Sequence, residues 1–471
     1  MVEGVNSGSL DLDGKRVVIL GLARQGVALA SFLARVGAEV TVSDLQEEAA
    51  LADRLEELAD LPVRTVLGGH PESLLEGTDL LCLSGGVPVD VPIVVEARRR
   101  GIPLSNDAQL FLERSPAPVI GITGSAGKTT TSALVGEMCR AAGLPTWVGG
   151  NIGNPLITEL GRIGPEDKVV MELSSFQLEI MNVSPHIAAV LNITPNHLDR
   201  HKTMDNYIAA KRAIVAHQGP EDYAVLGFDD ANARALALET DARPFFFSGG
   251  AEMDEGAYKT NGELALRLAK AETIICQADE VRLRGHHNVL NVLAACAICG
   301  IAGVPVEAMR QAIRTFTGVE HRLEEVREIM GVRYYNDSIA TAPERVVAAL
   351  LSFDEPTVLL AGGRDKKLPW DGFASEAMRR VRHLITFGEA GPMIARVVEE
   401  RIAKGQERAE GRRLEQITRV STLEEAVQAA DQLARPGDVV LLSPGGTSFD
   451  AFQDFAERGE RFKELVRNLK R

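Results

Sequence analysis

Three successive α/β units, each an open and mostly parallel sheet with helices on its faces, are what this sequence predicts. Short apolar runs recur along the whole chain, each followed by a glycine-containing turn and then a helix-like segment. That strand–turn–helix rhythm is how parallel sheets are written in sequence. The length, 471 residues, corresponds to about three domains of ordinary size. Breaks in the rhythm near the proline-rich Ser105–Pro118 and near Gly318 give the segments 1–106, 107–318 and 319–471.

A net charge of −15 argues against nucleic acid or an anionic membrane surface as the main partner. Lysines and arginines in glycine-rich loops therefore gain weight as local anion binders. Met1–Gly14 has no basic stretch ahead of an apolar one, and no apolar run approaches the roughly 20 residues of a membrane span. The expectation is a cytoplasmic protein without a secretory signal. Five scattered cysteines fit a reducing compartment. Cys296 and Cys299 form a C-x-x-C, but inside Asn291–Ile301, an apolar run at helical spacing, which predicts two buried helix thiols.

In the first unit, Val17–Leu20 predicts a strand, Gly21-Leu-Ala-Arg-Gln-Gly26 a turn, Val27–Val36 a helix and Glu39–Asp44 a second strand. This is a βαβ unit of the dinucleotide-binding, Rossmann-like type. Ala23 replaces the middle glycine of G-x-G-x-x-G, so the turn reads as a helix N-terminus facing a phosphate of a uridine or other nucleotide rather than as an NAD site. Leu80–Leu83 predicts a further strand, running into Ser84-Gly85-Gly86-Val87-Pro88 at a strand end, where ligands sit.

The second unit opens with the most informative stretch of the chain. Ala117–Ile122 predicts a buried strand, and Thr123-Gly124-Ser-Ala-Gly127-Lys128-Thr129-Thr130 a phosphate-binding turn that opens a helix from Thr131 to Ala142. Gly124 and Gly127 let backbone N–H groups approach phosphate oxygens, Lys128 supplies a mobile positive charge, and the Thr129 hydroxyl can ligate Mg²⁺. Ile122 stands where the full pattern has its first glycine, so this is a shortened P-loop. Further strands are predicted at Lys168–Leu173, Ile187–Asn192, Tyr223–Leu226 and Phe245–Phe247. Glu172, near the end of the first of these, places a carboxylate where Mg²⁺ needs a hard oxygen ligand. His197 follows the next strand and reads as a metal ligand, a phosphate-orienting group or a hydrogen-bonded loop histidine. Lys211, on a helix among small residues, reads by itself as an exposed helical lysine. Asn288 precedes the apolar helix, where it can face a nucleotide.

The third unit holds apolar runs at Thr357–Leu360, His383–Thr386 and Asp438–Leu442. Arg322 lies at its start. Asn336-Asp337-Ser338, Gly362-Gly363-Arg364-Asp365-Lys366 and Ser443–Ser448 close strands, the last leading into a helix that reaches Phe455. Glycine-rich or polar strand ends spread over three such units point jointly to ligand binding.

These motifs resemble, in order and over nearly the whole chain, those of the Mur ligases: Gly121-Ile-Thr-Gly-Ser-Ala-Gly-Lys-Thr-Thr130, Gly149-Gly-Asn-Ile-Gly153, Glu172-Leu-Ser-Ser-Phe-Gln177, Asn192-Ile-Thr-x-x-His197-Leu-Asp-Arg200, Ala210-Lys211, His287-Asn288, His321-Arg322, Asn336-Asp337-Ser338, Gly362-Gly363-Arg-Asp-Lys366 and Leu442-Ser-Pro444. The resemblance implies a Rossmann-like N-terminal domain, a central P-loop ATPase-like domain with a mostly parallel sheet, and a Rossmann-like C-terminal domain. It implies an ATP-dependent amide ligase of peptidoglycan precursor synthesis, acting through an acyl phosphate on UDP-N-acetylmuramoyl-L-alanine and D-glutamate. Lys128, Thr129 and Thr130, with Gly124 and Gly127, would hold the ATP phosphates. Thr129 and Glu172 would ligate one Mg²⁺; His197 and a carbamylated Lys211 would ligate a second, which reverses the unaided reading of Lys211. Asn288, Arg322 and Asp337 would hold ATP; Thr341, Lys366, Ser448 and Phe455 the incoming amino acid; Ser84, Gly86 and Asn151 the UDP-sugar; and Ser174 would bind substrate.

Three departures stand out: Ala126 where the family's loop commonly has Asn, Ile339 where Lys is usual, and Arg24-Gln25 with Leu45-Gln46 on the uridine side. Competing readings are a related ligase adding another amino acid such as L-glutamate, a folylpolyglutamate synthase-like ligase, a nicotinamide dehydrogenase, and a non-catalytic sensor of UDP-sugar and ATP. The first unit counts against the folylpolyglutamate reading, and the missing middle glycine against the dehydrogenase. A monomer is the default expectation.

Overall fold

Apolar strands that end in glycine turns assemble into three sheets. The computed structural model describes residues 11–366, 368–403 and 413–470, and the opening stretch Met1–Leu10 lies outside them. The chain packs as two compact units, one of residues up to 282 with 287–316, the other of 283–286 with residues from 317 onward.

The first unit contains two sheets. In one, β1 (Arg16–Leu20), β2 (Glu39–Asp44), β3 (Val63–Leu67), β4 (Leu80–Leu83) and β5 (Leu104–Ser105) run parallel in the order β3-β2-β1-β4-β5. This is a Rossmann-like order, and its reversal beside β1 brings the Gly21 and Ser84 turns together at the carboxyl ends of β1 and β4. Its helices are α1 (Arg24–Arg35), α2 (Ala52–Glu56), α3 (Pro92–Arg99) and α4 (Asp107–Leu112). α1 starts three residues before the expected Val27. Gly26 permits this, because a Cβ there would lie 2.0 Å from the Gly21 carbonyl oxygen. α4 replaces part of the loop expected over Ser105–Pro118: the Asn106 side chain caps it, accepting from the Gln109 N–H at 2.8 Å.

The other sheet of this unit is formed by β6 (Val119–Thr123), β7 (Thr146–Gly150), β8 (Lys168–Glu172), β9 (Ile187–Val190), β10 (Tyr223–Gly227), β11 (Arg243–Ser248), β12 (Gly256–Thr260), β13 (Glu263–Leu268) and β14 (Ala271–Gln277). Their order is β14-β13-β12-β11-β10-β9-β6-β8-β7, parallel from β7 to β12 and antiparallel only at β13 and β14. β6 is buried at every position, as a strand covered by helices on both faces must be. The helices are α5 (Lys128–Ala141), α6 (Ser175–Leu178), α7 (Leu198–His201), α8 (Met204–Arg212), α9 (Ala231–Ala235), α10 (His286–Ile301) and α11 (Val306–Thr315). Cys296 and Cys299 are both fully buried on α10, as the apolar spacing predicts.

The second unit is built on β15 (Glu324–Ile329), β16 (Val332–Asn336), β17 (Thr357–Gly362), β18 (Val381–Phe387), β19 (Gln416–Arg419) and β20 (Val439–Gly445), in the order β15-β16-β20-β17-β18-β19. Only the edge strand β15 is antiparallel. α12 (Pro343–Leu350), α13 (Asp371–Arg380), α14 (Gly391–Ala403), α15 (Leu423–Leu433) and α16 (Phe455–Arg467) cover it. The helix expected to reach Phe455 instead begins there. Ser443–Gly445 extend β20, and Asp454 caps α16 by accepting from the Glu457 N–H at 2.8 Å. Among the described residues no helix is long and apolar enough to cross a membrane.

Candidate active site

Only Gly124–Gly127 separate the end of β6 from the start of α5. So tight a turn needs a left-handed residue, which Gly127 provides at φ +87°; a Cβ there would also lie 2.2 Å from Asn291 Oδ1. The rest of the loop is fastened by the segment after β9. Ser125 N–H donates to the Asn192 carbonyl at 2.9 Å, and Ser125 Oγ donates to the Thr194 carbonyl at 2.9 Å. The Asn192 side chain brackets Ala126, accepting from its N–H at 2.9 Å and donating to its carbonyl at 3.1 Å. Ala126 has no polar side chain, but its backbone is held from both sides. Asn291, which donates to Asn288 Oδ1 at 2.9 Å, carries Asn288 toward the same loop.

Two ammonium groups converge here. Lys128 Nζ donates to the Gly124 carbonyl at 2.9 Å, and Lys211 Nζ donates to the same oxygen at 3.0 Å and to Thr123 Oγ1 at 3.1 Å. Lys211 is only 1% exposed, which corrects the unaided expectation of a solvated lysine. α8 turns it inward against β6 instead. Burial, and then the charge of Lys128, push its pKa well below the usual lysine value, with Glu172 opposing. Glu172 is itself 1% exposed. Its Oε1 accepts from Asn151 Nδ2 at 2.8 Å, while Oε2 is buried without a hydrogen-bond partner. An unsatisfied buried carboxylate oxygen beside a phosphate-type loop is the donor expected of a hard cation site. These residues fit Mg²⁺ together with a nucleotide triphosphate. Thr129 is half-buried and Thr130 buried at the start of α5.

His197 is exposed and left-handed (φ 52°) at the start of α7. Its ring meets Phe176 edge-on at 5.1 Å, while the buried His201 stacks on Phe176 at 5.3 Å. Arg200 lies 4.6 Å from the same ring and donates to the carbonyls of Gly86 and Val87, at 3.0 and 2.5 Å. Ser84 is buried in that turn. Nearby, both Asp44 oxygens serve the backbone, accepting from Leu22 N–H at 2.7 Å and Gln46 N–H at 2.9 Å. Gly85 N–H donates to Gln25 Oε1 at 3.4 Å. Ser174 closes a capping box with Gln177 at the start of α6.

In the second unit, Asp337 is buried, and burial pushes its carboxyl up to about 7, opposed by the Ser443 hydroxyl donating at 2.8 Å and by the Arg322 charge. Lys366 Nζ donates to Thr341 Oγ1 at 3.1 Å; burial and the neighbouring Arg345 lower its pKa. Ser448 is buried, and Phe455 meets His321 edge-on at 6.0 Å. Fully buried Arg458 donates to Ser338 Oγ and the Ser338 carbonyl, both at 2.9 Å, and to the Gly446 carbonyl at 3.2 Å. Ile339 is half-buried, its N–H donating to the His321 carbonyl at 3.2 Å.

Asn192 and Arg200 stand in a motif of the resemblance but were given no role from sequence, and Asn291 and Arg458 were not site candidates. Asn291 had a usable signal, one helical turn from Asn288. Arg458 had none, because it lies outside every glycine-rich strand end.

Comparison with known proteins covers the chain in three stretches. Residues 15–106 match the Mur ligase MurD-like N-terminal domain, 122–299 the Mur ligase middle domain, and 321–446 the Mur ligase glutamate ligase domain. The chain is 45% identical over 458 residues to the UDP-N-acetylmuramoylalanine–D-glutamate ligase of Symbiobacterium thermophilum, covering 97% of this chain and 98% of that protein. It is 42% identical over 462 residues to the ligase of the same name from Pelotomaculum thermopropionicum, covering 98% and 99%. Among solved structures, the UDP-N-acetylmuramate-alanine ligase MurC of Thermotoga maritima shares the fold at TM-score 0.56 and 20% identity, covering 97% of this chain and 100% of that one. The MurF ligase of Thermotoga maritima, solved in complex with ADP, does so at TM-score 0.53 and 18% identity, covering 97% and 96%. With three domains matched in sequence order and near-full-length relatives well above 30% identity, the chain belongs to the Mur ligase family.

Proposed function

We propose that this chain is an ATP-dependent ligase that joins D-glutamate to UDP-N-acetylmuramoyl-L-alanine in peptidoglycan precursor synthesis. The observation that carries it is the phosphate loop with Lys128, Lys211 and an unsatisfied Glu172 oxygen gathered on it, in a chain similar end to end to ligases bearing that name. A carboxylate oxygen of the muramoyl-alanine attacks the γ-phosphorus of ATP, the bond to ADP breaks, and an acyl phosphate forms. The amine of D-glutamate then attacks the acyl carbon, loses a proton, and inorganic phosphate leaves. A carboxylate and a triphosphate repel one another, so the first step needs fixed cations. Lys128 supplies one, and the loop N–H groups orient the phosphates. Thr129 and Glu172 would hold one Mg²⁺, and His197 with a carbamylated Lys211 a second; bound there, such ions would neutralise charge on the transferring phosphoryl group. The lowered basicity of Lys211 raises the share of neutral amine, the form that takes up CO₂. Asn288, Arg322 and Asp337 bind the nucleotide; Thr341, Lys366, Ser448 and Phe455 bind the amino acid; Ser84, Gly86 and Asn151 bind the nucleotide-sugar; Ser174 binds substrate.

Phosphate release from ATP and Mg²⁺ with UDP-N-acetylmuramoyl-L-alanine, scanned over D-Glu, L-Glu, D-Asp and L-Lys with product mass read in parallel, tests this. Release that requires D-Glu, with the mass of one added glutamate, is the expected outcome. Release with another amino acid moves the specificity, and silence with all four overturns the reading.

A further inference from the structure

The ten residues from Asn192 to His201 touch two glycine turns of the first unit, Gly124–Gly127 and Ser84–Pro88, and they do so at opposite ends. At one end Asn192 brackets the Ala126 peptide and accepts from Ser125 N–H, Thr194 exchanges hydrogen bonds with the Ser125 hydroxyl at 2.9 and 3.0 Å, and Asn196 Nδ2 lies 3.5 Å from the Ser125 carbonyl. At the other end the Arg200 guanidinium forks onto two successive carbonyls, Gly86 and Val87, of the turn after β4. Between them the backbone passes through His197, whose carbonyl accepts from the N–H groups of both Arg200 and His201.

The middle of this segment is packed rather than slack. The Phe176 ring has Arg200 at 4.6 Å, His201 stacked at 5.3 Å with an interplanar angle of 11°, and His197 edge-on at 5.1 Å. His201 is buried and engages Ser175 Oγ at 2.9 Å, which ties the segment to α6 immediately after the Glu172 strand. The turn that Arg200 grips is held on its far side as well: a Cβ on Gly21 would lie 3.0 Å from Ser84 Cβ, and Gln25 accepts from Gly85 N–H. A shift at either glycine turn therefore has a short route to the other, hydrogen-bonded at Asn192, Thr194, His197 and Arg200.

We propose that Asn192–His201 is a coupling strap and that Arg200 is the positioning residue through which occupancy of the phosphate loop favours nucleotide-sugar binding at the Ser84–Pro88 turn. This rests on the substrate assignment above. Arg200 suits the role because its planar guanidinium holds two carbonyls with N–H donors in a fixed fork, a pre-organised geometry that a rotating lysine ammonium lacks. Coupling of this kind is reciprocal: each ligand tightens the other by the same factor.

Titration calorimetry tests it without turnover. UDP-N-acetylmuramoyl-L-alanine is titrated into the full chain alone and with saturating Mg²⁺ and a β,γ-imido ATP analogue. In the unsubstituted protein the nucleotide is expected to tighten sugar binding roughly fivefold or more, within the usual range of coupling between sites. In Arg200→Ala that factor falls to within about twofold of unity, while affinity for the nucleotide analogue alone stays within about twofold of the original. Arg200→Lys falls between, and Asn192→Ala, cutting the strap at its other end, also lowers the factor. Full coupling in a folded Arg200→Ala protein, or in Arg200→Lys should the alanine variant not fold, overturns the strap. So does the absence of coupling in the unsubstituted chain. No binding of the nucleotide-sugar under any condition overturns the substrate assignment itself, and the coupling falls with it.

Discussion

The turn after β1 and the turn after β6 use one backbone device for different ends. Each is a buried parallel strand, a short glycine turn and the N-terminus of a helix, Gly21–Gly26 before most of α1 and Gly124–Gly127 before α5. At the first, the polar side chains around the turn are spent on shape. Asp44 holds Leu22 and Gln46, Gln25 holds Gly85, and a Cβ at Gly26 would strike the Gly21 carbonyl. At the second, a neighbouring segment holds the loop through Asn192, two lysines meet on the Gly124 carbonyl, and a Glu172 oxygen stays buried without a hydrogen-bond partner. On the proposed function, a turn that only binds can be held by a neighbouring strand's acid, while one that takes part in chemistry gathers charge for the ligand.

The largest expected effect comes from removing the charge that separates the two turns. Lys128→Ala is expected to lose roughly 10³-fold or more in kcat, the scale of one preorganised cation. Phosphate release under saturating substrates measures it, and near-normal turnover would dissolve the contrast. Lys211→Ala is expected to lose on the order of 10²-fold or more, with partial return on adding a short-chain carboxylic acid that restores an anionic oxygen. A fully active, unrescued variant would falsify the carbamate.

A third test lies beneath the first turn. Asp107 is fully buried, and burial raises its carboxyl to about 6, opposed by a hydrogen bond from Gln177 and by the Arg24 charge at the start of α1. A carboxyl raised on folding stabilises the protein below its unfolded pKa of roughly 4, and that contribution is lost as pH rises to 6. Asp107→Asn should therefore be the more stable protein at pH 8, by up to ~3 kcal/mol from a shift of about two units. The gap should close by pH 4, as read by urea unfolding at both values. The smallest effect concerns glycine itself. Gly127→Ala meets both a left-handed backbone and Asn291, and is expected to cost ~1–3 kcal/mol of stability. Gly86→Ala meets nothing within 4 Å and should stay within about 0.5 kcal/mol. Thermal unfolding of the pair compares them.

What the sequence made legible follows from how local each signal is. β1, β6, β8 and β9 announce themselves as apolar runs because both sheet faces are covered, and β2 as an alternating Val-Thr-Val stretch. β13 and β14 were missed: β13 alternates, β14 opens with exposed Ala271, Glu272 and Thr273, and their pairing is set by neighbours rather than by a run. α4 hid behind flanking prolines, although Asn106 is an ordinary N-cap. At the site, Lys128, Glu172 and the glycines were readable because backbone geometry and residue type act together over a few positions. Lys211 was not readable from its surroundings in sequence, since small neighbours on a helix do not say which face is buried. Only the family resemblance pointed inward, and its 1% exposure agrees with that direction. Arg200 and Asn192 act on residues 114 and 66 positions away, beyond any spacing rule.

All five cysteines, Cys82, Cys139, Cys276, Cys296 and Cys299, are buried. For thiol-directed reagents the native surface is therefore blank. A single cysteine placed at a solvent-facing position, Leu238→Cys for instance, where the leucine is 92% exposed, would be the one sulfur a maleimide dye reaches. The protein thus accepts site-specific fluorophores or spin labels without first stripping its own thiols, and labels set on either glycine turn would watch the two ligands arrive.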